Sequence, residues 1–187
     1  MQAFLVSLST VAVAEMGDRT QLLALVLSAK FRKPVPIVAA ILLATVANHA
    51  LAGLLGVWFA RFLTPHILDL VVGVSMLGMA IWTLIPDKLD SGGAKTSDRG
   101  AFMATLIAFF IAEIGDKTQI ATAALAAGYS DLFAVVAGTT TGMMLANVPV
   151  VFMGSRFAQR LPMALIHKVA AALFAVLGVY FIARGAF

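Results

Sequence analysis

Cysteine is absent from this chain of 187 residues, which excludes disulfides, thiolate metal ligands and cysteine nucleophiles. Charge is scarce as well. Asp, Glu, Lys and Arg together make up 12% of the sequence, about half the share found in a soluble domain. No glycine-rich nucleotide-binding motif occurs, so coupling to ATP would require a partner. A basic n-region is missing from the opening Met1-Gln2-Ala3-Phe4, and acids soon interrupt the first apolar run. A cleaved signal peptide is therefore not expected.

What is abundant is apolar surface. Hydrophobic residues make up 61% of the chain, and the mean hydropathy is +1.00. This composition reads as an all-α integral membrane protein with no room for a second, soluble domain. The net charge of +4 points to membrane topology rather than to nucleic acid, and no nucleic-acid partner is expected. A spanning helix needs about 20 mostly apolar residues. Six segments qualify, at roughly 3–29, 35–60, 67–86, 101–127, 132–155 and 165–184. Short polar or proline-containing breaks separate them, and the longest, Asp87 to Gly100, reads as a linker.

Two of the segments contain a costly feature, and it is the same feature. Glu15-Met16-Gly17-Asp18-Arg19-Thr20-Gln21 recurs 98 positions later as Glu113-Ile114-Gly115-Asp116-Lys117-Thr118-Gln119. The offset holds without gaps beyond the motif. Phe4 aligns with Phe102, Leu8 with Leu106, Val38-Ala39 with Val136-Ala137, Gly56 with Gly154, and Phe59-Ala60 with Phe157-Ala158. The chain thus reads as a duplicated three-helix unit, residues 1–86 and 101–187, joined by a linker at 87–100. Three helices is an odd number, so the second unit enters the membrane from the opposite face. Inverted repeats of this kind place substrate sites near mid-membrane on their pseudo-two-fold interface.

Basic residues set the orientation. The breaks after the first, third and fifth segments carry Lys30, Arg32, Lys33, Lys88, Lys95, Arg99, Arg156, Arg160 and Lys168, whereas the opposite side carries Arg61 and Arg184. Positively charged loops stay in the cytoplasm, so the linker is expected inside and both termini outside.

Acids in a membrane segment mark a site by default. On a continuous helix, residues three apart are neighbours, which puts Glu15, Asp18 and Gln21 on one face with Ser7 near the stripe. Glu113, Asp116 and Gln119 repeat this with Thr105. The four carboxylates are expected to converge, and Gly17 and Gly115 permit close helix approach or local unwinding. An oxygen-rich set without thiolates suits hard or borderline divalent cations. Thr20, Gln21, Thr118 and Gln119 can add neutral oxygens, and Asn48 and Asn147 can complete the shell or line the path. Equally, the two asparagines can serve as interhelical hydrogen bonds. Arg19 and Lys117 fit a counter-charge or gating role, with i,i+4 spacing to Glu15 and Glu113. Four acids against two bases leave −2, which one divalent cation or two protons neutralise.

Blander assignments exist for other groups. His49, which aligns with Asn147, suits a satisfied interior histidine, and His66 and His167 suit surface positions. Met16, Met143 and Met144 could offer soft sulfur, although methionine more often fills gaps. Trp58, Trp82 and Tyr180 fall toward segment ends and suit interfacial anchoring. Pro149 could kink its helix.

Two copies of Glu-x-Gly-Asp-(Lys/Arg)-Thr in a six-helix duplicated chain resemble the cation/proton antiporter family of the Golgi calcium/manganese transporters, which includes small bacterial manganese exporters of the MneA type. The resemblance covers essentially the whole chain. It implies a metal site formed by Glu15, Asp18, Glu113 and Asp116, and export of Mn²⁺, or next Ca²⁺, from the cytosol in exchange for H⁺ or Na⁺. It further implies a multi-pass protein of the bacterial inner membrane, surrounded by lipid, that is not an enzyme and holds no resident cofactor. The main alternative is a small exporter of amino acids or organic solutes. Four convergent acids fit a small divalent ion better than either. An intramembrane aspartyl protease needs two aspartates with unequal roles, which identical motifs do not favour. A non-transporting membrane subunit leaves the repeated acids unexplained.

Overall fold

The computed structural model describes residues 1–84, 100–129, 131–153 and 163–186. Among these residues the chain is entirely helical: α1 (Gln2–Glu15), α2 (Arg19–Phe31), α3 (Pro34–Ala60), α4 (Pro65–Thr83), α5 (Ala101–Glu113), α6 (Lys117–Gly128), α7 (Leu132–Met153) and α8 (Met163–Ala186). Most of the linker at 87–100, the break from Arg156 to Pro162, Gly154 and Phe157-Ala158 lie outside the described residues. So do the basic residues Lys88, Lys95, Arg99, Arg156 and Arg160.

Local chemistry sets several boundaries. Helix α2 ends where Arg32 adopts a left-handed conformation and its N–H returns to the Ser28 carbonyl at 2.9 Å. Pro34 then opens α3, and Pro65 opens α4. Proline suits these first positions because its missing N–H has no helical partner there anyway. Helix α7 continues through Pro149 to Met153.

Helices α3, α4, α7 and α8 are long and apolar enough to cross a membrane. The first and fourth expected segments are not continuous, which corrects the sequence reading. Each is split at its motif into two shorter helices, α1 with α2 and α5 with α6. The split has a local cause. Met16 and Ile114 are extended, and Gly17 and Gly115 follow with φ of 80° and 74°. A side chain at a left-handed position costs energy, so glycine belongs there. Around Gly115 an added Cβ would meet nothing within 4 Å, so the backbone conformation alone calls for glycine.

Packing inverts the pattern of a soluble protein. Leu42, Leu54, Leu55, Val74, Ile81, Phe152 and Val176 are exposed, while Ser7, Thr10, Glu15, Asp18, Thr45, Asn48, Asn147 and Lys117 are buried. An apolar exterior around a polar interior is what lipid requires. Helix α1 lies along α7 and α5 along α3, while α4 and α8 pack against each other. Glycines permit the closest approaches. A Cβ at Gly138 would sit 2.4 Å from the Phe4 carbonyl oxygen, and one at Gly142 would sit 2.6 Å from that of Leu8. Small residues four apart let two helix backbones touch. Helix α3 meets α6 the same way, because a Cβ at Gly56 would fall 2.1 Å from the Ala123 oxygen.

Two apolar clusters result. One joins α4, α6 and α8 with Ala3, Ala14 and Val135, and the other joins α2, α3 and α5 with Val151.

Candidate metal centre

The two motifs fold into near-identical elbows. Glu15 closes α1, and Asp18 stands at the N-cap of α2 with φ −78° and ψ 167°. Glu113 closes α5, and Asp116 caps α6 with φ −75° and ψ 158°. In each elbow the aspartate N–H donates to the glutamate carbonyl at 3.1 Å. The glutamine of each motif then accepts from the glycine N–H, Gln21 at 2.9 Å and Gln119 at 2.7 Å. This fixes both glutamines as braces of the turn. Asp116 also accepts from the Thr118 N–H and hydroxyl at 3.3 and 3.1 Å.

Each base reaches across to the other motif. Where local spacing offered Glu15 to Arg19 and Glu113 to Lys117, the fold adds a reciprocal exchange between the two motifs. Arg19 reaches Asp116 at 2.8 Å, and Lys117 reaches Asp18 at 2.9 Å. The sequence reading assumed a helix running on through the motif. The left-handed glycine ends that helix and turns the following bases toward the other elbow. Lys117 is almost fully buried, whereas the Arg19 side chain is 44% exposed.

Carboxylate oxygens of Glu15, Asp18 and Asp116 lie within 4.8 Å of one another, all three buried. Both repeats therefore contribute to one acidic cluster. Glu113 is buried too but is not part of that triad. Its Oε1 accepts from the Thr45 hydroxyl at 2.9 Å. The expected group of four is thus a group of three with a fourth acid apart. Asn147 donates to Glu15 Oε1 at 3.4 Å and to the Met143 carbonyl and sulfur at 3.1 Å each. Asn48 donates to the Phe110 carbonyl at 3.1 Å and accepts from Gln119 at 3.3 Å. Gln21 donates to the Ala146 carbonyl at 2.9 Å. Both asparagines therefore make interhelical bonds, Asn147 to Glu15 of α1 and Asn48 to α5 and α6.

Several buried polar atoms in the described residues have no hydrogen-bond partner: Glu15 Oε2, Glu113 Oε2, Asn147 Oδ1, Thr20 Oγ1, and the hydroxyls of Ser7, Thr10 and Thr105. Buried polar atoms are normally satisfied. A group of them beside an acidic cluster fits a place where a cation and its water pass. His49 is fully buried with neither ring nitrogen bonded, so it is not the satisfied interior histidine expected. His66 Nδ1 lies 3.0 Å from the Gly185 carbonyl and joins two helices.

Thr45 and the pair Asp69–Arg184 acquire their places only in the fold. Thr45 aligns at the repeat offset with Met143, already named for its sulfur, and that alignment was the available signal for Thr45. Arg184 binds Asp69 through two hydrogen bonds, one of them 2.8 Å from Nε, and donates to the Gly128 carbonyl at 3.1 Å. An acid at the start of an apolar segment was the available signal for Asp69.

Comparison with known proteins gives a consistent result. The family described as "Divalent cation/proton antiporter GDT1" matches residues 3–91 and 101–186. A Vibrio cholerae protein named "Putative manganese exporter" is 58% identical over 175 residues, covering 93% of this chain and 87% of that protein. "GDT1-like protein 3" of Oryza sativa is 27% identical over 198 residues, covering 92% of this chain and 70% of the rice protein. No solved structure matches the chain significantly.

Proposed function

Because the chain belongs to the GDT1 family of divalent cation/proton antiporters, we propose that it exports Mn²⁺, and secondarily Ca²⁺, from the cytosol in exchange for H⁺ or Na⁺. The observation that carries this reading is the acidic cluster of Glu15, Asp18 and Asp116, within 4.8 Å and drawn from both repeats. The two bases are engaged with Asp18 and Asp116. Four acids against two bases leave a charge of −2, which one divalent cation neutralises. Oxygen donors of this kind suit Mn²⁺ and Ca²⁺. Metal binding to carboxylates displaces protons, so the same groups couple the two ions.

The architecture in this proposal is six spans in two inverted repeats, residues 1–86 and 101–187. Helices α1 with α2, and α5 with α6, each make one broken span. Discontinuous helices at a repeat interface are a recurrent way to hold ions at mid-membrane. The packing of α1 on α7 parallels that of α5 on α3, as a two-fold relation between repeats requires. The basic breaks face the cytoplasm and the termini face out, across the bacterial inner membrane. Exposed apolar side chains meet lipid. Alternating access follows from motion of one repeat against the other about the acidic cluster.

Glu15, Asp18, Glu113 and Asp116 carry the ion, with Thr20, Gln21, Asn48, Thr118, Gln119 and Asn147 supporting it. Everted vesicles loaded by Mn²⁺ uptake, with and without a pH gradient, test the reading against Ca²⁺, Mg²⁺ and lysine. Glu15→Gln and Asp18→Asn are expected to abolish or strongly impair Mn²⁺ transport at matched expression. Wild-type rates in both variants would refute the site.

A further inference from the structure

The two halves of the centre are not chemically equal. Beside Glu113 stands the hydroxyl of Thr45, 2.9 Å from Oε1. At the same repeat position in the other half stands Met143, fully buried, its sulfur accepting at 3.1 Å from the Asn147 amide that also donates to Glu15 Oε1 at 3.4 Å. The location is set by backbone contact. Gly142 packs directly on Leu8 and Ala12 of α1, so the neighbouring Met143 cannot drift from the end of that helix. Glu15 Oε2 and Asn147 Oδ1, both buried without partners, lie in the same surroundings. We propose that Met143 is a specificity-determining residue, whose thioether favours Mn²⁺ over Ca²⁺ at the Glu15 side of the centre.

The chemistry is one of ligand softness. Thioethers bind transition metals and contribute little to Ca²⁺, which takes oxygen. Replacing one oxygen of a symmetric cage by sulfur leaves the acids to supply charge and makes the cage discriminate. This inference rests on the divalent-cation reading above. Met143→Leu keeps size and apolarity, and Met143→Thr copies the oxygen of the other repeat. In everted vesicles, Mn²⁺ and Ca²⁺ uptake are measured side by side for both variants. The ratio of Mn²⁺ to Ca²⁺ transport efficiency is expected to fall about tenfold, the lower end of what altered metal surroundings cost, and to fall further for Met143→Thr. An unchanged ratio, including an equal loss for both ions, overturns the role of Met143 while leaving the transport reading intact. Absence of transport of either ion by the wild-type protein overturns both.

A second asymmetry has a different origin. Helices α4 and α8 lean on α6 and α1, but they make no comparable contact with α5 and α2, the repeat equivalents. The apolar clusters repeat this bias, since only one of them includes α4 and α8. The biased side carries the Asp69–Arg184 pair, and the arginine also holds the Gly128 carbonyl at the end of α6. Phe181 packs under it, with the Arg184 guanidinium 4.7 Å from its ring and Tyr129 edge-on at 5.8 Å. Gly185 and Gly128 allow this fit, because a Cβ would fall 2.9 Å from Asp69 Cβ and 2.6 Å from Phe181 respectively. The equivalent positions in the other repeat, 167 and 86, are His and Pro, which cannot form the same pair. The geometry points to Asp69–Arg184–Gly128 as a latch that closes the terminus-bearing side of the centre.

The absence of cysteine gives a direct test. Ser7→Cys, buried in α1, supplies the sole thiol, and a membrane-impermeant thiol reagent is applied from each face of oriented vesicles. Asp69→Asn is expected to raise labelling from the terminus-bearing face severalfold. A charge exchange, Asp69→Arg with Arg184→Asp, is expected to return it toward the starting level. Unchanged labelling from that face in Asp69→Asn overturns the latch, as does a rise of equal size from both faces, which marks general loosening. Mn²⁺ transport by the Ser7→Cys protein, measured separately, reports on the functional reading by itself.

Discussion

Removal of the Lys117 charge is a demanding test of the reciprocal bridges. Lys117→Met keeps most of the side-chain volume and deletes the ammonium that lies 2.9 Å from Asp18 Oδ1. The Asp18 side chain is fully buried and that of Lys117 is 3% exposed, so solvent cannot replace the lost charge. Deleting one partner of a buried pair costs about 3–5 kcal/mol. For a chain of this length that corresponds to roughly 6–20 °C in apparent melting temperature. Arg19→Met removes the symmetry-related bridge under different conditions. Arg19 is 44% exposed, and Asp116 keeps both of its bonds from Thr118, so the expected cost is about 1 kcal/mol or less. Adding Asp18→Asn to Lys117→Met removes the stranded charge and should recover most of the lost stability. Melting of purified protein in one detergent, followed by tryptophan fluorescence, gives the comparison. Equal losses for Lys117→Met and Arg19→Met, or no recovery in the double variant, would refute the argument that burial makes the two bridges unequal.

Gly115→Ala should lower stability by roughly 1–2 kcal/mol, while Gly115→Asn should lose less, because asparagine tolerates left-handed backbone. The same melts check this, and an alanine variant as stable as the wild type would contradict the elbow geometry. Mn²⁺ binding should strengthen as pH rises, because the carboxylates must lose protons to take the metal. Apparent affinity measured by calorimetry between mildly acidic and neutral pH checks the sign, and proton release on binding should match the slope.

The all-helical fold and the apolar runs that become α3, α4, α7 and α8 were legible in the sequence because they are matters of composition. The bounds of α3 and α7 were legible for the same reason, since proline and polar breaks delimit long apolar runs. The elbows were half legible. Gly17 and Gly115 signalled possible unwinding, but a helical spacing argument through Glu15, Asp18 and Gln21 works only if the helix continues. Once Gly17 takes φ of 80°, Gln21 serves as acceptor for its N–H and the face no longer exists. Pairing was not legible at all. Within one motif, i,i+4 partners are the only candidates that local spacing offers, whereas the observed bridges join residues 97 and 99 positions apart in the chain (Arg19 with Asp116, Asp18 with Lys117). Glu113 accepts from Thr45 of α3, a contact between helices that the motif spacing alone does not reveal.

The exchange of bases has a mechanical consequence. Each motif supplies a counter-charge to the other, so these two ion pairs hold only while the elbows stay together. Pulling the elbows apart would break both cross-motif ion pairs, one of them between almost fully buried side chains. The same elbows bring the carboxyl ends of α1 and α5 and the amino ends of α2 and α6 to one layer, so opposite helix-dipole ends meet there. Motion that preserves both bridges must therefore pivot around the motif layer rather than divide it. Helices α4 and α8 are suited to such motion, because they bind each other tightly and lean on α1 and α6 but not comparably on α2 and α5. In the transport reading proposed above, the charge-bearing centre then stays in place while the helices around it shift.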